Sequence, residues 1–263
     1  MTSQRQHGRR RRLRPALGLA LALAAGWSCN AGAATSGPRT CAPITLDIGH
    51  TPKAPGATSA RGLKEHDFNL RFAAELKQAL ADRTGYPVEM AYRGRQDLTV
   101  YRRAQIIKTM TSGILLSIHH DSAQSRYLES WTYHDRKQRY TDRFSGFSLF
   151  VSGQAPSFVE STALARAIGE QFVDAGFSPT LHHNEPLPGE ARPLINPALG
   201  VYRFDELAVL RYAKVPAVLI ELGVIVNRAE EEKLSDAGYR KRLQGAIVSA
   251  MRRFCDTQSA RKE

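Results

Sequence analysis

A chain of 263 residues, 42% hydrophobic and 24% charged, can bury one sizeable core and lacks the composition of a disordered protein. Its net charge of +12 is concentrated at the start, and removing Arg5, Arg9, Arg10, Arg11, Arg12 and Arg14 leaves +6. That residual charge suits an anionic polymer; with no nucleic-acid-binding motif in the chain, no nucleic-acid partner is expected.

The first 33 residues have the order of a secretory signal peptide. A basic start without an acid leads into the apolar run Ala16 to Ala25, and Ala31-Gly32-Ala33 follows at cleavage-site spacing. Cleavage is expected near Ala33 or Ala34, giving an exported protein, periplasmic or extracellular. The apolar run is too short to span a bilayer, and no later run is long enough, so no stable membrane span is expected. Cys29 follows Gly26-Trp27-Ser28, a poor context for lipid attachment. Residues 34–42 read as a short linker, 43–255 as one domain and 256–263 as a polar tail.

Within the domain, strand and helix signals alternate, which predicts an α/β fold: a single domain with a mixed, mainly parallel sheet and helices on both faces. Ile44–Ile48 is the first strand. Phe68, Phe72, Leu76 and Leu80 recur every four residues and predict a helix over 67–84, ended by Gly85-Tyr86-Pro87. A strand over 88–92, a helix from a cap at Asp97 to about Met110, and a strand over 114–118 follow. The polar stretch 122–145 breaks the rhythm. Phe147 to Val151 is a further strand, and a helix from Ser157 carries Leu164, Ile168 and Phe172 on its buried face.

Residues 178–200, with five prolines, read as a second irregular stretch; irregular stretches this long in a compact domain are often functional loops. A short helix or turn is expected within 203–212, and Ala217–Ile220 is the last strong strand. Asn227 can cap the next helix, with Glu230, Glu231 and Glu232 in its first turn. The final helix carries Tyr239, Leu243, Ile247 and Phe254. Cys41 lies just before the first strand and Cys255 ends this helix. A helix antiparallel to the strands finishes at the same sheet edge, so a disulfide between the two is expected.

Three apolar runs end on residues that can bind a metal or move a proton: His50 after Ile44–Ile48, His119-His120-Asp121 after 114–118, and Glu221 after 217–220. Ligands of open α/β sheets collect at the carboxyl ends of strands, so these ends point to one site. His50, shaped by Gly49 and Pro52, is either a ligand or a loop histidine. Glu65 either stabilises a helix start or supplies an oxygen ligand. Neighbouring strand residues face opposite sides, so His119 and His120 are not equivalent, and alternation leaves the choice open. Glu221 interrupts a run expected to be buried, where an isolated carboxylate is costly. Such a set suits a catalytic zinc, with three His or carboxylate ligands, an open position for water and a nearby carboxylate as base.

These residues resemble the zinc-dependent N-acetylmuramoyl-L-alanine amidases that cut peptidoglycan. The resemblance spans about Ile44 to Met251 and rests on Leu46-Asp47-Ile48-Gly49-His50, Gly62-Leu63-Lys64-Glu65, Ser117-Ile118-His119-His120-Asp121 and Val215 to Gly223 with Asn227. It implies that His50, Glu65 and His119 bind Zn2+ and that Glu221 is the catalytic base. It favours His119, because the family usually has a small residue at the position of His120. The chain departs from the family where Ile48 replaces a Pro, Thr51-Pro52 replaces Gly-Gly, and Val224 replaces an aromatic; these changes reshape the loops and leave the implied ligands in place.

Some family members carry an inserted helix that blocks the site until a protein activator binds. Residues 122–145 lie where such a regulatory insertion would fall, with Glu129 or His134 as candidates to reach the ion; a substrate-lining or merely solvated loop is the favoured reading. Arg126, Arg192 and Tyr202 are candidate contacts to the peptidoglycan substrate. Two alternatives stay open: a zinc amidase or peptidase acting on other peptides, and a catalytically silent wall-binding regulator.

Overall fold

Parallel strands covered on both faces need nearly unbroken apolar sequence, and the strands at the centre of this molecule have it. The computed structural model describes residues 41–92 and 98–260. In chain order they form β1 (Ile44–Ile48), α1 (Glu65–Thr84), β2 (Val88–Met90), α2 (Val100–Lys108), β3 (Ile114–Asp121), β4 (Glu129–Tyr133), β5 (Arg136–Tyr140), β6 (Ser148–Val151), α3 (Phe158–Asp174), β7 (Leu194–Asn196), β8 (Val201–Arg203), α4 (Ala208–Arg211), β9 (Ala217–Val224), α5 (Arg228–Ser235) and α6 (Ala237–Ala260). Seven strands make one sheet in the order β2-β1-β3-β9-β6-β8-β7. Only the β6–β9 and β7–β8 pairs are antiparallel, so the sheet is mixed and mainly parallel.

Side-chain alternation divides the sheet into two unlike faces. Leu46, Leu116, Val218 and Ile220 join Phe72 and Leu76 of α1, Ile168 of α3 and Ile247 of α6 in the larger core. On the other face Leu115, Ala217 and Leu219 pack with Ile107 of α2 and Val209 and Leu210 of α4. The same face holds Asp47 and Ser117. Arg103 of α2 donates to Asp47 through Nε (3.0 Å) and Nη2 (2.5 Å), and Ser117 Oγ donates at 2.6 Å. Both members of this ion pair are buried.

Helix ends follow local chemistry. Gly85 closes α1 in the left-handed region at φ 70°, where a side chain would be strained. Thr99 caps α2 by accepting from the Arg102 amide; the expected cap, Asp97, lies outside the described residues. Asn227 caps α5 by accepting from the amides of Ala229 and Glu230, both at 3.0 Å.

Several expectations are corrected. β3 and β9 run three and four residues past the apolar runs that marked them, because His119 pairs with Glu221 and Asp121 with Val224 across the ladder. The stretch 122–145 contains the hairpin β4–β5, turned by His134-Asp135 with positive φ at both positions. Its half-buried face is only Trp131, Tyr133, Gln138 and Tyr140, too little apolar pattern to read as strands. Likewise β7 and β8, three residues each, are too short to show periodicity. α6 continues to Ala260, into the segment read as a polar tail. Cys41 and Cys255 are disulfide-bonded, with Cα atoms 5.7 Å apart. Residues 1–33, expected to be a leader, lie outside the described residues, among which no helix is long and apolar enough to cross a membrane.

Two stability outcomes follow from the buried charges. Arg103→Met leaves the buried Asp47 carboxyl without its ion-pair partner and is expected to cost about 3–5 kcal/mol in urea unfolding, with partial recovery in the Asp47→Asn/Arg103→Met double variant. Glu230 is buried, accepts from the amides of Val224 and Gly146 (both 2.8 Å), and is pushed by burial up to about 7. The folded chain therefore holds this proton more tightly than the unfolded chain, whose value is near 4.5. Its contribution is fully present below that value and is lost as pH rises toward 7. Glu230→Gln should gain about 3 kcal/mol on the wild type between those two pH values; a pH-independent difference in unfolding free energy would contradict this.

Candidate metal centre

The strand order makes the site. β1, β3 and β9 are adjacent and parallel, so their carboxyl ends lie side by side and deliver His50, His119 and Glu221 to one place. His119 and Glu221 are register partners on the face that also carries Ser117 and Leu219, two residues before each. Alternation sends His120 to the opposite face, against Phe68 and Phe72 of α1. There its Nδ1 meets Asn69 Oδ1 at 2.7 Å, and burial pushes it down to about 3, a neutral core histidine.

Glu65, the first residue of α1, joins the two partly buried imidazoles of His50 and His119. Its Oε2 lies 2.9 Å from His50 Nε2 and accepts from the Ala57 amide at 3.1 Å. Its Oε1 lies 3.1 Å from His119 Nδ1 and accepts from Asn69 Nδ2 at 3.1 Å. Burial opposes the charge on Glu65, but hydrogen bonds from His119 and His50 outweigh it and hold the carboxyl well below its ordinary range. For His119 burial is the larger effect, and it lowers the imidazole despite Glu65, favouring the neutral form a metal needs. His50 adopts φ 63°. Gly56, at φ 75°, closes over it: a Cβ there would fall 2.6 Å from the His50 ring and closer still to Glu65.

The residues fit a divalent ion. The ligand atoms of His50, Glu65 and His119 all lie within 4.8 Å of one another. Ligands of a tetrahedral zinc stand about 3.3 Å apart, given bond lengths near 2.0 Å, and the two Glu65–imidazole distances fall close to that. Glu221 stands beside them, its Oε1 4.0 Å from His119 Nδ1, while its buried Oε2 has no hydrogen-bond partner among the described residues. Burial, then the charges of Asp121 and Glu65, raise Glu221 well above the ordinary carboxylate value.

His50, His119 and Glu221 open into a cleft of about 320 Å³ that His183, Glu190 and Arg192 also line. The Arg192 guanidinium sits 3.6 Å over the Phe204 ring. The other expected contacts are placed elsewhere. Tyr202 is fully buried and donates to the Thr180 carbonyl at 2.9 Å, so it cannot touch a substrate. Arg126 is exposed and outside the cleft lining. Glu129 accepts from Tyr140 at 3.1 Å on the outer hairpin, and His134 forms its turn; neither lines the cleft. The hairpin docks instead through Trp131, whose Nε1 donates to the Ala60 carbonyl at 2.8 Å.

Sequence reasoning missed His182 and His183. The doublet lies in the proline-rich stretch 178–200, and its adjacency was the available signal. Both rings face Asp121: His183 Nε2 lies 2.8 Å and His182 Nε2 3.6 Å from Asp121 Oδ2. Burial opposes a charge on His183, but Asp121 and Glu190 overcome it and push this imidazole up to about 10.

Comparison with known proteins agrees with this geometry. The chain is 27% identical over 234 residues to the probable N-acetylmuramoyl-L-alanine amidase AmiB of Haemophilus influenzae, covering 81% of this chain and 52% of that protein, so it spans about half the length of that relative. It is 22% identical to a putative N-acetylmuramoyl-L-alanine amidase of Buchnera aphidicola, covering 80% of this chain and 95% of that protein. The fold matches the crystal structure of Ami1, an N-acetylmuramyl-L-alanine amidase of Mycobacterium smegmatis, with a TM-score of 0.63 at 18% identity, over 82% of this chain and 97% of that one. It also matches the Clostridioides difficile CwlD amidase, solved with the GerS lipoprotein, with a TM-score of 0.60 at 20% identity, over 81% and 98%. Residues 44–253 match the family model Amidase_3, N-acetylmuramoyl-L-alanine amidase, and the chain belongs to that family.

Proposed function

We propose that this protein is an exported zinc hydrolase that cleaves the amide between the lactyl group of N-acetylmuramic acid and L-alanine in peptidoglycan. The observation that carries the proposal is the convergence of His50, Glu65 and His119 beside a buried, unpartnered carboxylate oxygen of Glu221. Family membership supplies the substrate class. Export is supported by the Cys41–Cys255 disulfide, which belongs to oxidising compartments, and by the basic leader. A charge of +6 beyond the leader favours encounter with a polymer made anionic by its peptide carboxylates.

In this reading His50, His119 and Glu65 would hold the ion, and Asn69 and the Ala57 amide keep the Glu65 carboxylate oriented. A bound zinc would polarise the scissile carbonyl and acidify a water. Glu221 takes the proton from that water as the water adds to the amide carbon, then passes it to the departing L-alanine nitrogen when the C–N bond breaks. Arg192, fixed over Phe204 at the cleft edge, can meet a carboxylate of the peptide stem.

Glu221→Gln is expected to keep its zinc and lose about 10²–10⁴-fold in turnover on purified peptidoglycan. Full activity of this variant would remove Glu221 from the chemistry. Chelation by 1,10-phenanthroline should abolish release of peptides, and zinc should restore it. Mass analysis of the products separates the readings. Free lactyl ends with new L-alanine amino termini match the amidase; new termini elsewhere in the stem identify a peptidase. Binding without release identifies a silent wall-binding protein.

A further inference from the structure

We propose that Asp121, His182 and His183 form a second binding site for a divalent transition-metal ion, beside the same cleft, which fastens the loop 178–192 to the end of β3. Two imidazoles and one carboxylate are a common donor set for zinc-class ions, and these three offer their ligand atoms within 4.8 Å of one another. The distances to Asp121 Oδ2, 2.8 Å from His183 Nε2 and 3.6 Å from His182 Nε2, straddle the roughly 3.3 Å expected between ligands of a tetrahedral ion.

The surroundings orient the donors. His183 Nδ1 donates to Glu190 Oε2 at 2.9 Å, and His182 Nδ1 meets Thr180 Oγ1 at 2.8 Å. With Nδ1 of each ring occupied from outside, both Nε2 atoms turn inward, the arrangement that fixes tautomer and direction in metal-bound histidines. The Ser122 amide donates to Asp121 Oδ1 at 2.7 Å and leaves Oδ2 facing the rings. The Ser122 carbonyl, 3.2 Å from His182 Nε2, is a fourth donor atom at the same place. Asp121 and Glu190 together carry two negative charges, matching a dication that replaces protons between the rings and Asp121. Asp121 and His182 are buried, and Phe144 stacks on His182 with centroids 4.7 Å apart, so the centre is enclosed rather than a surface cluster.

Occupancy would join β3, the stretch after it and the proline-rich loop at one point. His183 would be held by that ion, and with it Glu190 through His183 Nδ1 and Arg192 through its amide on the His183 carbonyl; all three line the cleft. The second site thus sets the position of a substrate-facing wall, while His50, Glu65 and His119 serve the chemistry.

The test is zinc stoichiometry of the full folded chain by equilibrium dialysis and elemental analysis, with Co2+ absorption as a second readout. The wild type should hold two ions, and His119→Gln, Asp121→Asn and His183→Gln one each. The His119→Gln/Asp121→Asn double variant should hold none. His183→Gln carries the test if Asp121→Asn fails to fold by circular dichroism. Two variants at this site that retain the wild-type number of ions overturn the proposal. A wild type with a single ion that survives His119→Gln and is lost in His183→Gln supports the second site and refutes the first, so the two readings fail separately.

Discussion

A single buried carboxylate organises the site. Glu65 is only 5% exposed at its side chain, a position in which an unpaired charge would cost several kcal/mol. It is stabilised by His50 from the end of β1, His119 from the end of β3, Asn69 one turn along α1 and the Ala57 amide of the connecting loop. The anion therefore requires that the first and third strands, the helix and the loop all be in register. Misplacing any of them leaves a charge in low dielectric without partners, so the same interaction that gathers the two imidazoles also enforces the local fold.

The sheet makes this economical because its two faces do different work. On one face the apolar residues of β1, β3 and β9 are sealed by α1, α3 and α6. On the other, the strands begin under α2 and α4 and end in polar groups: Asp47 with Arg103, then His119 and Glu221. The alternation that hides His120 among Phe68 and Phe72 puts His119 beside Glu65. The pair His119-His120 is thus one packing residue and one site residue, separated by strand parity.

Much of this was legible in the sequence where polarity interrupts apolarity. Ile44–Ile48 followed by His50, and Ala217–Ile220 followed by Glu221, mark strand ends because parallel strands have no other use for charge there. The true strand ends were less legible, since β3 and β9 continue through the polar residues they present. Tyr202 was placed wrongly because its loop-like neighbours conceal a short buried strand, β8. The hairpin was hidden by its exposure, and His182 and His183 by a loop whose course no periodicity reports. Their relation to Asp121 spans about sixty residues of sequence and exists only once the chain is folded.

The bond between Cys41 and Cys255 encloses His50, Glu65, His119 and Glu221 within one covalent ring. Because its second cysteine lies in α6, after every strand of the sheet, the ring cannot be sealed until all of those strands have been made. Once sealed, a single backbone cut in an exposed connection opens the ring without releasing a fragment, so a nicked molecule keeps the strand bearing His50 tethered to the helix that ends the domain. In a compartment rich in proteases, that tether gives the two halves of the site a route back to each other.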